Sequence, residues 1–393
     1  MTQAIAAAPV TLRHVNAYTG RNGGPEQFDN FAFAERFVRN VPKPVPLDQP
    51  LMAFQFEFKG RIVIGGANYT SVFPESLLNI FQNIQWNGKH ATLSSQTPWN
   101  GSGATLFKLM KLLNVRGNDL YVNGVRLSDD VISNGIPTTT FGNTGTYDID
   151  LIMTVPVYPF GVNDGQAMLF LYNEQAWGST IQMIINMGDR TSFGAPAGGT
   201  TVTYTAFGLG TGTPIVNVQT VYASLGPLSD KIGQAVCIRN VQPINSVLQA
   251  NSATIRLAQL QNQRTNWVAQ KTGTLAAGTN PGITVFDSLS DTIVEQTLLR
   301  KNNARIRNLY ENSATKAWYS FRMQSTQPLG YLALLFDDGY PTANSWAAYQ
   351  GDNPLVLPSG AQFDIAAQVV GAAGTNYGEI IQEYTLGEPL VAF

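Results

Sequence analysis

His14, His90 and Cys237 are the only histidines and the only cysteine in 393 residues. A His-rich metal centre needs several imidazoles, so that chemistry is excluded, as is a two-histidine helix motif. Cys237 lies between Val236 and Ile238 on a predicted strand, where a thiol reads as buried and inert; a nucleophile would need a base beside it. A single cysteine also excludes an intrachain disulfide framework. Two carboxylate pairs have the right residue types for acid–base work. Asp337-Asp338 precedes Gly339 as a turn, and Asp148 and Asp150 fall on the solvent parity of a predicted strand. Neither sets two carboxyl groups across a cleft, as hydrolysis between paired carboxylates requires.

Gly208-Leu209-Gly210-Thr211-Gly212 imitates a phosphate loop. It lies between two predicted strands instead of opening a helix, so the helix N-terminus that holds phosphate is missing and the stretch reads as a flexible hairpin. Asn68-Tyr69-Thr70 and Asn100-Gly101-Ser102 match the glycosylation pattern, which counts only in a secreted chain. The opening Met-Thr-Gln-Ala-Ile-Ala-Ala-Ala does not read as a signal peptide. Trp86, Trp99, Trp177 and Trp346 would stack sugars where they face solvent, although core or subunit packing is the commoner fate of tryptophan. The sequence thus nominates no catalytic residue, no metal ligand, no cofactor-binding residue and no cofactor.

The elements that would position any site are mostly strands. From Phe54 to Ile64 the apolar residues Phe54, Phe56, Phe58, Ile62 and Ile64 hold one parity, and Gln55, Glu57, Lys59 and Arg61 hold the other. Successive strand side chains point to opposite faces, so this stretch is a half-buried strand that a second sheet must cover. Tyr147 to Val157, Ile181 to Met187, Val202 to Tyr204 and 215–222 repeat the pattern. Asn87-Gly88 and Asn123-Gly124 read as tight turns. Ser102-Gly103-Ala104 opens the clearest helix, with Leu106, Leu109, Met110 and Leu113 at the spacing of a buried stripe. Later strands are predicted at 235–239, 254–260, 267–270 and 331–336, with a terminal pair at 362–370 and 379–386. Residues 295–311 are ambiguous between helix and strand, and 345–349 reads as one helical turn. Short strands between Gly, Asn and Pro turns indicate a sandwich.

Length predicts two domains, since one core seldom serves about 300 residues or more. Apolar residues make up 44% and charged residues 13%, with net charge −2. So low a charge suits a surface covered by neighbours, and without a Lys/Arg run no specific nucleic-acid partner is indicated. No apolar run approaches the roughly 18 residues of a membrane span. The expected division is an N-terminal arm (1–50), a first strand-rich unit (51–226) and a second (227–393), with the seam at Leu225-Gly226-Pro227. The arm mixes Gly-rich and Pro-rich spacers around Phe28, Phe31, Phe33 and Phe37; it reads either as cover for its own domain or as an extension that docks on a neighbour or an inner layer.

The ordered set of segments resembles the double jelly-roll major capsid proteins of tailless icosahedral viruses, many of which enclose a membrane. The likeness runs from about residue 50 to the end. It is carried by Phe56-Glu57-Phe58-Lys59-Gly60-Arg61-Ile62, Glu75-Ser76-Leu77-Leu78 through Trp86-Asn87-Gly88, Gly103-Ala104-Thr105-Leu106-Phe107 and Ser179-Thr180-Ile181-Gln182-Met183 through Gly188-Asp189. In the second half it rests on Asn302-Asn303-Ala304-Arg305-Ile306, Gly330-Tyr331-Leu332-Ala333-Leu334 and Ser359-Gly360-Ala361-Gln362-Phe363. The resemblance implies an all-β chain of two consecutive jelly-roll barrels with a few short helices. It implies a non-enzymatic structural protein that forms homotrimeric, pseudo-hexagonal blocks in an icosahedral shell, located in the virion and, during assembly, in the host cytoplasm. Its partners would be copies of itself, minor capsid or vertex proteins, and an internal membrane or inner layer met through the arm. Loops 137–145 and 191–199 would be free to form an outer crown or subunit contacts. Two other readings of the strand pattern stay open: a carbohydrate-binding β-sandwich adhesin or tail-spike-like protein, and a two-domain β-rich hydrolase.

Overall fold

The computed structural model describes residues 13–16, 26–28, 36–41, 51–89, 95–112, 117–156, 181–208, 215–224, 238–247, 253–256, 263–276, 285–301, 304–307, 312–323, 326–335, 355–356, 363–369 and 376–386. The chain is all-β with short helices, and its strands form two sheet pairs. In the first half the larger sheet runs β1 (Arg13–Asn16), β14 (Ile215–Ser224), β4 (Leu51–Gly65), β10 (Gly145–Pro156), β8 (Asp119–Val122), β9 (Val125–Arg126). Beside this path β13 (Thr201–Thr205) pairs with β4 and β2 (Glu26–Phe28) with β14. The smaller sheet runs β3 (Arg36–Val41), β11 (Ile181–Met187), β6 (Phe81–Lys89), β7 (Ser95–Gly101), and β5 (Tyr69–Val72) pairs with β12 (Gly194–Pro196).

The second half repeats this order. Its larger sheet runs β15 (Ile238–Val247), β24 (Asn376–Leu386), β17 (Gln263–Leu275), with β21 (Tyr331–Leu335), β18 (Phe286–Leu289) and β22 (Leu355–Val356) on the far edge of β17. Its smaller sheet runs β16 (Ala253–Arg256), β23 (Phe363–Val369), β19 (Val294–Lys301), β20 (Ala304–Arg307). Take the principal strands of each half in chain order. The first, last, third and sixth make one sheet; the second, seventh, fourth and fifth make the other. All pairings are antiparallel. This is the eight-stranded jelly roll, formed twice in one chain.

The strand at 54–64 is the spine of the first barrel. Phe54, Phe56, Phe58, Ile62 and Ile64 are buried, while Gln55, Glu57, Lys59 and Arg61 are half-exposed. The aromatic row meets the facing sheet through Phe54 against Trp86 (ring centroids 5.0 Å apart) and Phe56 against Phe81 (6.1 Å). Both edges of β4 are used. β10 lies along one from Ala53 to Ile64, and β14 and β13 lie end to end along the other. β13 and β14 therefore run in one direction. The hairpin expected at 208–212 lies, Gly208 apart, outside the described residues.

Two expectations give way to the structure, and two readings left open are narrowed. Asn87 and Gly88 lie inside β6, held extended by β11 on one side and β7 on the other, at a shift in register. The last two strands do not pair; β23 and β24 belong to opposite sheets of the second barrel. The described residues of the ambiguous stretch at 295–311 are strand, β19 and β20. The segment read as an arm supplies strands to both sheets of the first barrel: β1 and β2 on β14, and β3 on β11. Two of its aromatics take places in the sheets, Phe37 in register with Ile185 and Phe28 with Val216. By contrast Asn123 (φ 50°) and Gly124 (φ 76°) make the expected tight hairpin between β8 and β9.

Candidate functional site: a buried ion cluster between the halves

Two elements of the first half carry the site. Pro74-Glu75 leads into a 3-10 turn, Ser76–Ile80, whose Leu78 and Asn79 N–H groups donate to the Glu75 carbonyl. That turn fixes Glu75, which is itself buried. The second element is α1 (Gly103–Leu112). Ser102 caps it, its hydroxyl accepting from the Thr105 N–H at 3.1 Å, and satisfies a donor the helix leaves open. Gly103 has no room for a side chain: a Cβ there would press on the Phe81 carbonyl oxygen and lie 2.7 Å from Phe81 Cβ. This close approach seats the helix on β6 and turns Thr105 and Lys108 toward the second half. A second short helix, α2 (Asp129–Asn134), follows the β8–β9 hairpin.

From the second half, Lys271 on β17, Tyr331 at the start of β21 and Glu379 on β24 meet these residues. The register brings the three side by side, Lys271 opposite Tyr331 and opposite Glu379. Lys271 Nζ donates to Glu75 Oε2 at 2.6 Å and to Thr105 Oγ1 at 3.2 Å. Tyr331 Oη donates to Glu75 Oε1 at 2.7 Å. Lys108 Nζ lies 3.8 Å from Glu75 Oε1, and Glu379 Oε2 lies 3.8 Å from Lys271 Nζ. The Lys271 ammonium also sits 4.5 Å from the centre of the Phe286 ring. All five ionisable side chains are buried. Two ammonium and two carboxylate groups thus meet in a buried seam, beside which Phe73 packs on Ala276 and Val285.

Burial and pairing oppose each other at each group. Burial pushes the Glu75 carboxyl up, but Lys271, Lys108 and the hydrogen bonds from Lys271 and Tyr331 together hold it below the usual carboxylate value. Lys108 goes the other way: burial pulls it down to about 8, only partly offset by Glu75. None of the described residues accepts a hydrogen bond from its ammonium. Burial also raises Glu379, with Lys271 opposing, and raises the Tyr331 hydroxyl well above its ordinary value.

Of the carboxylates singled out by sequence, the described pair lies elsewhere. Asp148 and Asp150 lie on the outer face of β10, each paired across to β4. Arg61 grips Asp148 at 2.8 and 3.0 Å, and Lys59 lies 3.6 Å from Asp150. Hydrogen bonding from Arg61 holds Asp148 below the usual carboxylate value. Asp148 also accepts from the Gly208 N–H at 3.0 Å, so the glycine-rich stretch is tied to this pair at its start. Trp86 and Trp99 are buried and stacked on each other at 5.6 Å. Loops 137–145 and 191–199 are anchored at one end of the barrel by one aromatic each and leave 137–139, 143–145 and 198–199 exposed. Phe141 packs on Tyr69, Tyr147 and Phe193, and Phe193 on Tyr204. His90, Cys237, Asp337, Asp338, Trp177, Trp346, residues 209–212, 225–229 and 345–349 lie outside the described residues. Among the described residues no three His, Cys, Asp or Glu side chains are grouped to hold a metal ion, and no helix is long and apolar enough to cross a membrane.

Sequence reasoning missed the cluster. Its only local trace is charge in apolar surroundings: Glu75 ahead of Leu77, Leu78 and Ile80, and Lys108 between Phe107 and Leu109. No family model matches the chain, and no curated protein matches it in sequence. Solved structures match it in fold over nearly the whole length. The major capsid protein P2 of bacteriophage PM2 superposes with a TM-score of 0.52 at 9% identity, covering 94% of this chain and 100% of that one. The STIV MCP gives 0.55 at 15%, covering 94% and 100%. The Faustovirus major capsid protein gives 0.54 at 10%, covering 95% and 91%. The fold of this chain is the fold of these capsid proteins.

Proposed function

We propose that the chain is the major capsid protein of a tailless icosahedral virus, a structural subunit and not an enzyme. The observation that carries this is the repeated jelly roll itself, with both barrels in one strand order and a buried ion cluster joining them. Two equivalent barrels give a subunit a two-lobed footprint, and three such subunits close into a nearly six-sided unit that tiles a facet. The likeness to three capsid proteins covers 91–100% of their chains, which supports the same reading. On this account residues 51–226 and 227–393 are the two barrel domains and copies of the chain are the main partners. Minor or vertex proteins and an internal membrane are further partners; assembly takes place in host cytoplasm and the protein ends in the virion. The sugar-binding alternative loses its described sequence candidates, because Trp86 and Trp99 are buried in the barrel. Electron microscopy of the purified protein tests the proposal. Six-sided blocks, sheets of them or closed shells are the expected images; a dispersed small particle that binds glycans would overturn it.

A further inference from the structure

Lys271 and Glu75 are placed for more than an ion pair. Lys271 Nζ lies 2.6 Å from Glu75 Oε2, and both side chains are 1% exposed. The ammonium sits 4.5 Å from the centre of the Phe286 ring and 5.7 Å from that of Tyr331. The neighbouring groups suit a condensation between the two. Glu379, opposite Lys271 on the adjacent strand, brings a second buried carboxylate to 3.8 Å from the same nitrogen. Tyr331 Oη donates to Glu75 Oε1 at 2.7 Å, and Lys108 Nζ lies 3.8 Å from that oxygen. Thr105 Oγ1 accepts from Lys271 Nζ at 3.2 Å. A secondary amide between Lys271 and Glu75 would have one N–H and one carbonyl oxygen. The site already holds an acceptor for the first, Thr105, and a donor for the second, Tyr331. Condensation would also remove two buried charges, whose desolvation costs the cluster most.

We infer that Lys271 and Glu75 condense to an intramolecular amide, a covalent cross-link between the two halves of the chain. Glu379 takes one proton from the Lys271 ammonium, and the freed lone pair of Nζ forms a bond to Glu75 Cδ. The electron pair displaced onto Oε1 is held by the Tyr331 hydroxyl and the Lys108 ammonium, both in place before the charge develops. Oε2 then leaves as water, taking the proton held by Glu379 and a second one from Nζ. An ammonium and a carboxylate become a neutral amide and one water, with no oxidant, cofactor or further reactant. Holding the groups in contact lowers the barrier that a free amine and acid face in water. Burial raises the Glu379 carboxyl, against the pull of Lys271, which suits a proton carrier; burial also keeps the Tyr331 hydroxyl protonated. The second half holds an internal control. Asp291 and Lys316 on α3 (Asn312–Met323) also lie 2.6 Å apart, but the Asp291 side chain is 40% exposed. Water reaches that pair, and it stays ionic.

Mass spectrometry of the purified wild-type chain tests this without a variant. Trypsin should release residues 62–89 joined to residues 265–300, with no cut after Lys271, while the chain is cut normally after Lys316. Each referred to its own sequence, the intact wild type should be lighter than Lys271→Met by one water molecule. Glu379→Gln keeps the shape of the side chain but carries no proton between the reacting groups. It should leave most chains unlinked, and circular dichroism verifies that it folds. Separate peptides and an unreduced mass for the wild type overturn the inference and leave the capsid reading standing. A link from Glu75 to Lys108 in place of Lys271, or full linkage in Glu379→Gln, overturns the roles given to these groups.

Discussion

Lys271 on the second barrel donates to Glu75 on the first at 2.6 Å, across 196 residues of sequence. The bond joins two domains through a carboxylate that also accepts from Tyr331 and faces Lys108. Buried ion clusters of this kind owe much of their energy to mutual compensation: removing one member strands the rest. Glu75→Gln should therefore cost about 3–5 kcal/mol in chemical unfolding, more than a typical substitution. It should also split the single unfolding transition into two, as the barrels lose their lock. A cost near zero with one transition would remove the seam from the account.

Lys108 gives the seam a pH signature. Its folded value of about 8 lies below the ordinary 10.5, so between these values the unfolded chain holds the proton more tightly than the folded one. Stability then rises with pH through that window. The wild type should gain stability relative to Lys108→Met from pH 7 to pH 10, and parallel curves would contradict this. At the acid end Glu75 acts with the same sign. Its folded value lies below the ordinary 4.5, so its contribution is present above 4.5 and lost as pH falls through the folded value.

Phe56 is buried between the sheets against Phe54 and Phe81. Phe56→Ala should cost about 3–5 kcal/mol, while Glu57→Ala, one residue along on the outer parity, should stay within about 1 kcal/mol. Thermal unfolding that ranks the two the other way would reverse the facing of β4.

Two glycines separate crowding from backbone strain. At Gly103 a Cβ collides with Phe81, so Gly103→Ala should destabilise by about 1–3 kcal/mol despite the better helix propensity of alanine. At Gly124 the space is open and only the positive φ opposes a side chain, so Gly124→Ala should cost about 1–2 kcal/mol. Equal stability of Gly103→Ala and wild type would show that α1 does not press on β6.

Deleting residues 1–40 strips β1, β2 and most of β3 from the two sheets of the first barrel. The truncated chain should lose stability before it loses any capacity to assemble, with a lower unfolding midpoint in circular dichroism. An unchanged midpoint would return the segment to the role of a detachable arm.

What the sequence disclosed followed the range of each interaction. The row from Phe54 to Ile64 is legible because strand parity is a two-residue signal, and the Asn123-Gly124 hairpin because its φ demands are local. Asn87-Gly88 carries the same turn signal, yet neighbours on both sides hold it extended. The pairing of β23 and β24 with distant strands and the meeting of Glu75 with Lys271 depend on contacts far apart in sequence, which no local pattern records. Helix α3 escaped notice because its bulky residues, Trp318 and Phe321, lie on the exposed face, so it lacks the buried stripe that announces α1.

The mass of the native particle tests the central claim most directly. Sedimentation of the full chain should give three times the 42.6 kDa of one copy, together with far larger closed shells. A particle that remains at the mass of one copy at every concentration would contradict it.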